Sequence, residues 1–251
     1  MNQYEIYEAT KDLQSTGSID NPPVFGLTFA KTGDHLKKLI DYPFEVHVLV
    51  PYDISDFIID MLPKHIEVYK LNKEYDLKTV FILIHNKINY FNNPEPNLIS
   101  SKAIIHPTAI LDVPGNNIVK MSDGRIINMK HMGNVVVEEY AEVQAYSVVH
   151  RSVFTSTIIR KNTQIFAKVN VGHNCDIGES TIVCPGSLLA GGTKVGKNCY
   201  IWQGVITRSH VTICDNVIIG AGSLVLKDID KPGVYVGTPA KYIKEYDEVL
   251  R

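Results

Sequence analysis

No stretch of this chain holds the roughly 18 consecutive apolar residues that a membrane-spanning helix needs, so insertion in a bilayer is not expected. Charge of one sign is missing too. Against 25 Lys and Arg stand 27 Asp and Glu, a net charge of -2, so nothing suggests a polybasic surface for nucleic acid or anionic lipid. Cysteine is scarce: Cys175, Cys184, Cys199 and Cys214 include no CxxC pair. A disulfide framework is therefore not expected, and a reducing, cytoplasmic setting is the natural reading. The opening MNQYEIYEATKDLQ lacks the apolar core of a signal peptide. What remains is an ordinary globular balance, with 45% hydrophobic and 21% charged residues.

What the chain does have is a period of six. From Ile159 through Ile165, Val171 and Ile177 to Val225, every sixth residue is aliphatic with one exception, Thr207. Four positions after most of these lies a small or β-branched residue, among them Thr163, Val169, Cys175, Thr181 and Cys199. A six-residue period fits neither a helix nor an open sandwich strand. It is the repeat of a parallel β-helix, in which three six-residue faces complete one triangular coil. Residues about 18 apart then stack at roughly the 4.8 Å strand spacing, which makes the chain a ruler.

Two regions follow. Residues 1–100 alternate short apolar runs with helical patterns: Val24–Phe29, Gly33–Leu39, Phe44–Val50, Ile54–Leu62, Ile66–Leu71 and Leu77–Ile88. That alternation predicts a small α/β domain with a mostly parallel sheet. The turn-rich Asn92–Asn97 links it to residues 101–251, where the coils begin near Ile104. Their regularity lapses between Val113 and Gly133, an excursion, and again at a four-residue insertion near His150-Arg151-Ser152. Departures of this kind tend to sit on a functional face. Thr238–Arg251 reads as a short closing tail, expected to be helical, that caps the last coil.

From Ile105 onward the chain resembles the hexapeptide-repeat acyltransferases, whose coils wind left-handed. The resemblance is strongest over Gly124–Thr181, including VGHNC at Val171–Cys175, which is similar in order and spacing to UDP-3-O-acylglucosamine N-acyltransferase of lipid A synthesis. Leu27-Thr28-Phe29 resembles that enzyme's nucleotide-facing domain. The ending PGVYVGTPAK, Pro232–Lys241, instead looks like that of coenzyme-A-dependent sugar acetyltransferases. Two departures stand out: only Phe29 matches the aromatic pair for the base, and Phe166 replaces an acidic residue seven positions before the family's catalytic histidine. The fold class implied is mainly β, a left-handed parallel β-helix preceded by a small α/β domain.

The resemblance makes His173 the catalytic base, suited by an imidazole pKa near 6.5 to take a proton at neutral pH. The ruler adds Gly191, one coil on, as an oxyanion donor. Coenzyme A, the thioester co-substrate, is expected along Gly191, Gly204, Gly220, Ala221 and Gly222, with Lys227 and Lys241 toward its phosphates. Phe29, Lys130, His131, Asn170 and Asn174 are candidates for the acceptor, a nucleotide-linked amino-dideoxysugar, thymidine diphosphate preferred. A homotrimer with sites between subunits is implied, and no metal. The alternatives are lipid A N-acylation from an acyl carrier protein, a three-histidine zinc enzyme of the γ-carbonic anhydrase type, and a non-enzymatic scaffold. The histidine spacings, 23 between His150 and His173 and 37 between His173 and His210, put no pair in phase on adjacent coils for the zinc reading.

Overall fold

The computed structural model describes residues 16–17, 22, 26–89, 93–121 and 123–245. The opening MNQYEIYEATKDLQ, Val24-Phe25, Asn92 and the last six residues of the expected tail lie outside them. The chain forms two compact units, Met1–Asn93 with Asn116–Lys130, and Pro94–Gly115 with His131–Arg251. Asn116–Lys130, inside the expected excursion, thus groups with the N-terminal residues and not with the coils.

In the first unit, strands Gly26–Phe29, Val46–Val50 and Ile66–Lys70 form a parallel sheet in that order. Val46–Val50 is the middle strand and is buried throughout, as its unbroken apolar run requires. Helices Gly33–Lys37 and Asp56–Asp60 supply the crossovers, and helix Leu77–Ile88 follows the last strand. Leu36, Leu39, Val46, Val48, Val50 and Ile54 share one core. A hairpin, Ile118–Lys120 against Ile126–Asn128, is bonded to the last helix: the Lys78 ammonium donates to the Ile118 carbonyl at 2.9 Å and the Asn86 amide to the Asn128 carbonyl at 2.9 Å.

The second unit is a parallel β-solenoid of short strands in three sheets. The first face points Val143, Ile165, Val183, Ile201 and Ile219 inward; the second Val149, Val171, Leu189, Thr207 and Val225; the third Val137, Ile159, Ile177, Val195 and Ile213. Each inward residue is nearly or fully buried, Thr207 included. Cys175 and Cys199 fill inward corners as free thiols, each pushed up to about 12 by burial and so inert.

Register reports the irregularities directly. Asn170 pairs with Leu188 and Asp176 with Lys194, 18 apart. Val148 pairs with Asn170, 22 apart, and with Ile110, 38 apart. The four-residue insertion and the long excursion are therefore both real. Both fall between the second and third faces, on one corner.

Corners turn through left-handed residues, where Asn and Gly are least strained. Asn162, Ser180, Asn198 and Asn216 stack on one corner, Lys168, Gly186, Gly204 and Gly222 on the next, and Asn174, Gly192 and His210 on the third, all with φ between 55° and 74°. The tail departs from its expected helix. Gly233–Val236 joins the first face and Lys241–Lys244 folds back antiparallel on it, because Val234, Tyr235 and Val236 present a strand edge that needs pairing. Among the described residues no helix is long and apolar enough to cross a membrane.

Candidate active site

Five features of the second unit converge on the corner between its second and third faces. Successive coils place there the start of the excursion, Pro114-Gly115; the insertion, Arg151–Thr155; then Gly172-His173-Asn174; then Ala190-Gly191-Gly192; then His210. Each element enters from a second-face strand and leaves into a third-face strand, so the ruler fixes their order.

His173 is half-buried between two glycines. A methyl on Gly191 would lie 2.5 Å from its Nε2, and one on Gly115 would lie 2.4 Å from its Cδ2. The absence of side chains at both positions is what admits the ring. The His173 Nδ1 lies 2.8 Å from the Asn174 Oδ1. That amide is oriented by two further bonds: its Oδ1 accepts the Val153 N–H at 3.3 Å, and its Nδ2 donates to the Ser152 hydroxyl at 2.6 Å. An amide oxygen can only accept, so His173 carries its proton on Nδ1 and leaves the Nε2 lone pair facing Gly191. Burial lowers the His173 pKa below the ordinary imidazole value; the Asn174 bond acts upward, and His150 and His210 add repulsion.

Gly191 offers its backbone to the same space. Among the described residues no hydrogen bond uses its N–H, and a side chain on Gly172 would come within 2.6 Å of that nitrogen. His131 is buried beside His173, ring centroids 5.1 Å apart and edge-on, with Gly115 against both.

The other candidates are distributed more widely. Asn170 faces outward on the second face, one strand before His173. Gly204 and Gly222 stack with open space above them on the corner between the first and second faces, with exposed Ala221 beside them; within one chain they do not share the His173 corner. Gly220 leaves no room, because Val236 of the tail would lie 2.6 Å from any side chain there. Lys227 is exposed, and Lys241 sits exposed in the returning tail strand, paired with Val236. Phe29 and Lys130 belong to the first unit. Phe29 packs on Phe81 at 4.6 Å between centroids, with the Lys31 ammonium 5.9 Å from its ring. Lys130 donates from Nζ to the Asn89 carbonyl at 2.9 Å.

Sequence reasoning missed three contributors. Arg151, 5% exposed, pairs with the Asp112 carboxylate and reaches the Asp112 and His131 carbonyls, binding the two ends of the excursion together. Gly115 and Ser152 shape the ring's pocket. The only signal for any of them was their place in segments that break the repeat. Among the described residues, the one group with metal-ligand spacing is Glu45, His47 and Glu67, in the first unit.

A model of bacterial transferase hexapeptide (six repeats) matches residues 192–227. The chain is 37% identical over 125 residues to UDP-3-O-acylglucosamine N-acyltransferase 2 of Sulfurimonas denitrificans, covering 49% of this chain and 40% of the relative. It is 28% identical over 148 residues to UDP-3-O-acylglucosamine N-acyltransferase of Methylococcus capsulatus, covering 59% and 42%. The matched region thus spans about two fifths of these curated relatives. In fold it is similar to an Arabidopsis UDP-N-acetylglucosamine acyltransferase, with a TM-score of 0.53 and 17% identity over 93% of this chain and 69% of that one.

Proposed function

For a hexapeptide-repeat chain of the bacterial transferase type, similar over its coils to UDP-3-O-acylglucosamine N-acyltransferases, we propose N-acyl transfer from a coenzyme A thioester to the amine of a nucleotide-linked amino-dideoxysugar. The observation that carries this reading is the His173 imidazole, its Nδ1 on the Asn174 amide and its Nε2 lone pair against the Gly191 backbone. Amide formation from a thioester needs a base for the amine proton and a donor for the developing oxyanion. His173 Nε2 accepts the proton as the amine attacks the thioester carbonyl. The Gly191 N–H meets the oxygen as charge develops, a contribution of about 3 kcal/mol in comparable sites. As the thiolate leaves, the imidazolium returns the proton to it.

The second face supports a site shared between copies. Its outward residues Ile110, Val148, Asn170, Leu188, Ile206 and Leu224 include no charge, whereas the other two faces carry Glu142, Asp176 and Lys194. Ile110, Leu188 and Ile206 are 52%, 43% and 45% exposed, an apolar row that assembly as a homotrimer would cover. This face runs between the His173 corner and the Gly204-Gly222 corner. A neighbouring copy docked there brings the open glycine corner beside His173, where the pantetheine arm would lie. The GTPAK ending favours coenzyme A as donor, and Phe29 and Lys130 of the first unit are proposed for the nucleotide, thymidine diphosphate by preference.

The test offers acetyl-coenzyme A and an acyl-carrier-protein thioester to the full chain with a panel of thymidine- and uridine-diphosphate amino sugars and UDP-3-O-acylglucosamine. Turnover with coenzyme A, lost by two or more orders of magnitude in His173→Ala, is expected. Transfer only from the carrier protein to UDP-3-O-acylglucosamine would replace this reading with lipid A N-acylation, which the names of the relatives favour.

A further inference from the structure

The single break in the aliphatic repeat lies one coil on from Leu189, which stands two residues before the proposed oxyanion donor. Thr207 occupies an inward position of the second face and is 2% exposed. At this position the coils on either side are regular: the Gly172 N–H donates to the Leu189 carbonyl at 2.8 Å, and the Arg208 N–H to the Val225 carbonyl at 2.8 Å. Ala190, between them, is different. Its N–H donates at 3.0 Å to the Thr207 hydroxyl and not to the carbonyl of the next coil.

The same hydroxyl lies 2.8 Å from the Thr193 hydroxyl, and the Thr193 hydroxyl donates to the Ala190 carbonyl at 2.6 Å. The Cys175 thiol reaches that carbonyl too, at 3.3 Å. Proton accounting gives one consistent arrangement. Thr193 donates to the Ala190 oxygen, Thr207 donates to Thr193, and Thr207 accepts from the Ala190 nitrogen. Two buried hydroxyls thereby clasp the two polar ends of Ala190, whose carbonyl carbon is bonded to the Gly191 nitrogen. A valine at 207 would satisfy the repeat and return the Ala190 N–H to the regular ladder.

We infer that Thr207, acting with Thr193, is a positioning residue that sets the Ala190-Gly191 peptide so that the Gly191 N–H points at the reacting carbonyl. The ladder is interrupted at Ala190, and the peptide that follows it is the one that carries the Gly191 N–H, one coil from His173. This role rests on the proposed acyl transfer, since it concerns the geometry of that reaction's donor. Neither hydroxyl touches substrate; both act through the backbone.

The experiment compares Thr207→Val and Thr207→Ser in the full chain, using acetyl-coenzyme A and whichever nucleotide amino sugar the wild-type protein accepts. Thr207→Val is expected to lower kcat tenfold or more, with KM for both substrates within twofold, an unmoved pH profile and an undiminished Tm. Thr207→Ser, which keeps the hydroxyl, restores most of kcat. The amide resonance of Gly191, followed by NMR without substrates, should shift in Thr207→Val and not in Thr207→Ser. A Gly191 resonance unchanged by the valine, or a kcat equal to wild type, overturns the inference. A rate loss matched by a fall in Tm overturns it as well, because Thr207 is then a stability residue. Failure of the acyl-transfer reading shows elsewhere, as an inactive wild type or a fully active His173→Ala, and leaves the NMR comparison to decide the backbone geometry.

Discussion

Gly191→Ala puts the proposed site under the sharpest stress the fold allows. The new methyl would sit 2.5 Å from His173 Nε2, 2.8 Å from Cε1 and 2.9 Å from Cδ2. Carbon contacts are comfortable only from about 3.5 Å, so the ring must retreat by about 1 Å. A surface histidine would swing away at little cost. This one is blocked, because Gly115 lies against its Cδ2 and Cγ from the excursion side, and the Asn174 amide holds Nδ1 at 2.8 Å. Yielding therefore means breaking the Asn174 bond or parting two coils, an overpacking cost of about 1–3 kcal/mol. The backbone itself offers no obstacle, since Gly191, unlike Gly192 at φ 74°, is not among the left-handed residues. A displacement of about 1 Å at a reacting group costs on the order of 100-fold in rate. Steady-state acyl transfer and thermal unfolding on the same sample decide the matter. The expected result is a folded protein with kcat reduced on the order of 100-fold; near-wild-type kcat would refute the packing argument and, with it, the assignment of this corner as the site. Gly186→Ala is the control, for its left-handed backbone is strained but its methyl meets nothing within 4 Å.

Three further outcomes are expected. Burial lowers the His173 pKa, so its imidazole, followed by NMR in the free protein, should titrate below the ordinary imidazole value near 6.5; a midpoint above that value would contradict the burial argument. Leu188→Asp combined with Ile206→Asp should dissociate the proposed trimer, seen by analytical ultracentrifugation, and abolish transfer in the same step. Arg151→Met leaves the Asp112 carboxylate without its buried partner and unties the ends of the excursion. The expected loss lies near the lower end of the ~3–5 kcal/mol that broken buried pairs cost, since Asp112 is partly exposed; urea denaturation measures it.

Much was legible in the chain itself. A side-chain period of six leaves only a three-faced coil as a way to bury every aliphatic position, and stacking then fixes that Gly191 lies over His173. The breaks in that period marked the excursion and the insertion to within a residue or two, because register in a solenoid has no slack. Helix Leu77–Ile88 and the buried strand Val46–Val50 also followed from local pattern alone. Contacts between segments that share no period were decided only by the tertiary structure. That Gly115 closes over a ring 58 positions away, that Ser152 and Val153 orient the Asn174 amide, and that Arg151 ties Asp112 to the His131 carbonyl are all outcomes of where two irregular segments end up. The tail was misread for the same reason: its strand exists because the last coil presents an edge to pair with, and a pairing partner is not written in a segment's own composition. Periodicity determines a lattice of stacked positions; irregular polar contacts, which depend on distance and direction, select which lattice points become chemistry.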